Sequence, residues 1–168
     1  MEKQDNAQWN CHLRLEKRVG DIDLCKTPEE RLEWLRNTKP YEVKEWGGNL
    51  LLNVGCDIIW DLVDGTSALH FDNTNSTIGV GDSAVAADAT QTDLQAAVNK
   101  LYKGMEATYP TSTTQKITLK SSFGSADANY VWNEWVVKRT TCLNRKVEVL
   151  GTKASGSTWT LEVAITLS

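Results

Sequence analysis

The 168-residue chain carries 18 Lys and Arg against 22 Asp and Glu, a formal charge of −4, and 40% hydrophobic residues. That length fits one ordinary domain with a core, and the acidic balance argues against a general nucleic-acid binder. No run approaches the ~18 apolar residues of a membrane span, the start MEKQDNAQWN lacks a signal-peptide core, and no Cys-x-x-Cys pair occurs, so the expectation is a soluble protein made in a reducing cytoplasm with free Cys11, Cys25, Cys56 and Cys142.

Residues 1–46 hold 9 Lys/Arg and 10 Asp/Glu, so 19 of the 40 charged residues lie in about a quarter of the chain. The break in composition near Trp46-Gly47-Gly48 predicts a boundary, with an extended charged arm at 1–46 and a body at 47–168. Within the front, TPEERLEWLRN reads as a short helix. Thr27 caps it, Pro28 takes the first turn, Glu30 completes a capping box, and Pro40 stops it. This segment has too little apolar surface for a core of its own. Trp9, Leu13, Leu15, Leu32, Trp34, Leu35 and Trp46 are therefore expected to bury against the body or a partner chain. As arm anchors for a partner, the candidates are Trp9, Leu13, Leu32, Trp34, Leu35 and Trp46.

NLLLNVGCDIIWDLVDG predicts a helix at about 50–63, with Asn49 as N-cap and Gly65 just past the end. Leu51, Val54, Ile58 and Leu62 recur at helical spacing, and Gly55 allows close approach. Asp57, Asp61 and Asp64 share a helical period too, as a solvated face or a metal-binding one.

After residue 75 the period becomes two. TIGVG, KITLKSSF, YVWNEWVVK, KVEVL and WTLEVAITL read as strands, and the both-sided apolar pattern of YVWNEWVVK marks a central one. TDLQAAVNKLYK reads equally as helix or as a helical turn leading into a strand. Strands separated by turns such as FGSADAN and GTKASGST predict a mainly β body, an antiparallel sandwich or barrel with one or two helices. The last alternating run ends the fold near Ser168, which leaves any reaching element to the front.

Chemical motifs are weak. The Gly79-x-Gly81 pair has Ala84 where a dinucleotide fingerprint needs its third glycine, and no Lys-Ser/Thr follows for a P-loop. His70 is the only histidine in the body; with Asp72 it is half of an acid-base or metal site, or a surface residue of a polar loop. Cys11, His12 and Cys25 match no zinc module, and DNTNST lacks the glycine and closing Glu of a calcium loop. No catalytic residue, cofactor or metal site is expected. Trp132 and Trp135, three apart on a strand, should face opposite sides, one in the core and Trp135 free for a subunit contact or, on a rival reading, a glycan.

The order NLLLNVGCDIIWDLVDG, IGVGDS, QTDLQ, FGSADANYVWNEW, LNRKVEVLGTK and STWTLEVAITLS resembles small virion structural proteins of tailed bacteriophages, over roughly 47–168. Within these the nearest likeness is to capsid decoration, or cement, proteins. The resemblance implies a β-rich homotrimer on the outside of an icosahedral shell. It would clamp adjacent major capsid proteins, with no catalytic residues, no nucleic acid and no membrane as partners. A tail, neck or fibre component and a glycan-binding surface module are the alternatives.

Overall fold

The computed structural model describes residues 8–168. In chain order these form β1 (Trp9–Val19), a 3-10 turn (Ile22–Leu24), α1 (Pro28–Asn37), β2 (Glu42–Gly47), β3 (Leu50–Leu51) and α2 (Asn53–Val63). Then come β4 (Thr77–Gly81), β5 (Lys100–Gly104), β6 (Thr111–Thr113), β7 (Lys116–Phe123), β8 (Val131–Lys138), β9 (Cys142–Thr152) and β10 (Ser157–Leu167). The strands make two five-stranded antiparallel sheets, β2-β1-β10-β7-β6 and β3-β9-β8-β4-β5. This is the mainly β sandwich with two helices that the alternating runs predict.

The core lies between the sheets. Along β10, Trp159, Leu161, Val163 and Ile165 point inward, as their spacing requires, and meet Leu13 and Leu15 of β1 and Leu119 and Phe123 of β7. Trp132 sits at the centre, edge-on to Phe123 (ring centroids 4.9 Å apart) and to Trp159 (4.8 Å). β8 is the middle strand of its sheet, and its Val136 belongs to a second small cluster with Leu52, Leu94 and Cys142.

The front segment corrects the expectation of an arm. β1 is an interior strand: it pairs along its whole length with β10 and, over His12–Lys17, with β2. Its sequence looked detachable because its outward half is ionic. Cys11, Leu13 and Leu15 are buried, whereas His12, Arg14 and Glu16 alternate with them; His12 and Arg14 pair with Glu45 of β2, and Glu16 pairs with Arg14 and Arg18 along its own strand. Arg14 bridges Glu45 at 2.7 Å, and Lys17 reaches Glu42 at 2.7 Å. Composition separated residues 1–46 from the rest, but the hydrogen-bond ladder does not; residues 1–7 of that segment lie outside the described residues.

A polar knot ties the same segment to the FGSADAN turn. Arg31 of α1 bridges Asp23 and Glu106, and Lys103 bridges Asp23 and Asp127. Asp21 accepts from the Ser125 amide at 2.9 Å, and buried Lys153 donates to the Gly124 carbonyl at 2.6 Å. α1 itself forms as predicted, with the full Thr27–Glu30 capping box.

α2 begins at Asn53, three residues later than predicted. Asn49 instead accepts a hydrogen bond from Trp9 Nε1 at 2.6 Å, and Leu52 stands at the N-cap with no side-chain cap. Gly55 presses the helix onto β9: a Cβ there would lie 2.0 Å from the Leu143 carbonyl oxygen.

Candidate functional site

α2 borders a groove near the start of β1 and the end of β10. Trp9 (start of β1), Ile59 and Leu62 (α2), Phe71, Ile165 and Leu167 (end of β10) line its volume of about 520 Å³. The polar lining comes from the β6–β7 hairpin alone, including Gln115 and Lys116. The groove runs onto the outer face of α2, where Trp60 is 66% exposed and Val63 70% exposed. Leu69, in the loop after α2, is also exposed. Large apolar side chains that stay uncovered on a well-packed body mark contact surfaces more often than isolated surface residues do.

Of the sequence-predicted anchors, only Trp9 belongs to this groove. Leu13 is a core residue, and Trp46 packs against the core cluster. Leu32 and Leu35 face a small cleft beneath α1 beside Glu16, Arg18 and Lys120. Trp34 lies against Gly20 on a separate shallow cleft rimmed by Asp21, Glu30 and Glu33. The anchors therefore form no single surface.

Trp135 corrects the expected subunit contact: it is completely buried, in the same core cluster as Trp132. The β8–β9 ladder shifts register between Trp132 and Glu134, and such an irregularity breaks the strict alternation of faces. Sequence reading missed Ile59, Trp60, Leu62 in this role, Val63, Phe71 and Leu167. The available signal was α2 itself, which carries more apolar residues than one buried stripe needs.

The Gly79 and Gly81 pair serves close packing. A Cβ on Gly79 would sit 2.6 Å from the Tyr102 ring, and one on Gly81 would sit 2.4 Å from Glu134 Oε1. Glu134 is fully buried and pairs with equally buried Arg145, Nε to Oε2 2.8 Å. The same carboxylate accepts the Gln95 and Ala96 amides (2.9 and 2.7 Å), while Arg145 donates to Gln91 and to the Val85 carbonyl (both 2.9 Å). The pair thus fastens the irregular stretch 82–99 over the outer face of the second sheet. Residues 94–99 are neither helix nor strand, and the strand begins at Lys100.

The remaining candidates are occupied locally. Asp72 spends its oxygens on the Thr74 and Asn75 amides (2.8 and 2.7 Å) and the Asn75 side chain, and exposed His70 lies 3.3 Å from it. Those hydrogen bonds, that from the Asn75 amide first, hold the Asp72 carboxyl below its usual range. Cys11 and His12 are neighbours on β1 and so face opposite sides, and burial pushes the Cys11 thiol up to about 12. Among the described residues no group of three or more His, Cys, Asp or Glu converges as metal ligands, and no helix is long and apolar enough to cross a membrane. Comparison of the chain with protein-family models, curated proteins and solved structures gives no match.

Proposed function

We propose that this protein acts by contact, as a structural component of a tailed-phage particle that decorates the capsid and braces adjacent major capsid proteins. The observation that carries the reading is the apolar groove that continues into the exposed Trp60–Val63 ridge of α2. The order of motifs along 47–168, which resembles phage virion proteins, supplies the setting. Several weak contacts made at once by a trimer would suffice for firm attachment, because linked sites raise the effective concentration. Trp60 and Val63 replace the front segment as the gripping element in this proposal, since β1 is committed to the sheet.

The test is a count of copies in purified particles by quantitative gel or mass spectrometry, together with the mass of the free protein in solution. A capsid brace is present in numbers close to the major capsid protein and sediments as a trimer. A minor band would place the chain in the tail or neck instead, and absence from the particle would end the reading.

A further inference from the structure

The exposed side of α2 has an ordered charge pattern. At about 100° per residue, its surface runs from Ile59 through Val63 and Trp60 to Asp64, Asp57 and Asp61. The apolar groove therefore grades, across one aromatic ridge, into three carboxylates. None of the three has a cationic partner among the described residues, in a protein whose other acidic side chains mostly do; Asp93, Glu134 and Glu162 are examples. Asp61 and Asp64 also stand at the C-terminal end of α2, where the helix dipole disfavours negative charge, and no basic residue occupies the last turn. Of the side chains that line the groove, the charged one is Lys116, on its far rim. A second copy docking α2 against α2 would bring six carboxylates together without a counter-charge, so the pattern selects against self-pairing.

We infer that the groove and the outer face of α2 dock a cationic amphipathic segment of another protein. Its apolar side chains enter between Ile59, Phe71 and Leu167 and stack on Trp60, while its Lys or Arg residues face Asp57, Asp61 and Asp64. This deepens the contact reading above by naming the chemistry of the partner at that site. The two fail separately, because a peptide titration involves no particle and a copy count involves no peptide.

The probe is a labelled peptide of about fourteen residues, Leu and Lys at helical spacing, about long enough to cover α2; its Leu/Glu counterpart is the control. Fluorescence anisotropy on the full chain should give saturable binding of the Leu/Lys peptide only. Removing three ion pairs to the peptide with D57N/D61N/D64N should weaken it about ten-fold. Trp60→Ala should weaken it by about the same factor or more, as an aromatic anchor does. The charges at Asp57 and Asp61 have no local partner, and Asp64→Asn keeps an oxygen for the Thr66 amide that Asp64 accepts, so the melting temperature of the triple variant should change by less than about 3 °C, which separates lost binding from lost fold. E29Q/E33Q, at exposed carboxylates on α1, should change binding less than about two-fold. Equal weakening by E29Q/E33Q, equally tight Leu/Glu binding, or a dimer in solution that Trp60→Ala dissociates would each overturn the proposal.

Discussion

Replacing Gly55 with Ala sets two physical effects against each other. In an isolated helix the change is favourable by about 1 kcal/mol, because glycine is the poorer helix former. In this protein the added methyl would lie 2.0 Å from the Leu143 carbonyl oxygen and 2.8 Å from its carbon. A carbon–oxygen contact needs about 3.4 Å, so α2 must lift from β9 by more than about 1 Å or tilt. Overpacking of this kind costs roughly 1–3 kcal/mol, and more where backbone is the obstacle, as here. The net expectation is destabilisation of about 1–3 kcal/mol, which for a chain of this size lowers the melting temperature by about 3–10 °C. The control is Gly104→Ala, where nothing lies within 4 Å of the new methyl. Paired thermal and urea unfolding by circular dichroism measures both. An unchanged or raised melting temperature for Gly55→Ala would show that α2 does not rest on β9, and the groove geometry would fall with it.

Deleting residues 1–46 should yield insoluble or unfolded protein, because it removes two strands and uncovers Leu161 and Val163; a soluble fragment with a cooperative melt would restore the arm. Arg145→Ala should cost about 3–5 kcal/mol, the usual effect of stranding a buried charge, and should open 82–99 to limited proteolysis; R145M/E134Q, which removes the stranded charge and keeps an oxygen for the Gln95 and Ala96 amides, should recover part of the loss. Burial holds the Cys11 and Cys142 thiols up at about 12, so at pH 8 a disulfide reagent should titrate Cys25 and Cys56 quickly and the other two only after denaturation. At Asp23 and Asp93, burial raises the carboxyl, but hydrogen bonds from Arg31 and Tyr102 with the nearby lysines outweigh it, so both titrate below their unfolded value. Their contribution is therefore full above about pH 5 and fades as the pH falls through about 4 and below; urea midpoints across that range should drop, and D23N or D93N should flatten the slope.

Much of the fold was readable because one rule governs its largest part. A strand in a sandwich must alternate, and β7 and β10 do so over eight and eleven residues. The same rule should have recovered β1, where Cys11, Leu13 and Leu15 alternate just as regularly. Charge masked it: composition averages both faces of a strand, and the outward face of β1 happens to be ionic. Local devices were also legible, since the Thr27 capping box needs only neighbours in sequence. Trp135 was not, because the register shift that redirects it depends on how β8 meets β9, and pairing partners are not local information.

The contact face was hidden for a related reason. Helical spacing identifies the stripe that α2 buries but is silent about which of the remaining apolar residues a neighbour covers. Ile58 is covered by the body; Trp60, two residues on, is not. What the pattern does contain is the excess: Ile59, Trp60 and Val63 widen the apolar sector beyond the stripe through Ile58 and Leu62, and the aspartates fill the rest. A helix needing only solubility would place lysine or glutamine along that border. An exposed Trp there costs solvation and risks aggregation, so its placement beside a groove that the protein's own side chains leave open is the feature that a partner most directly explains.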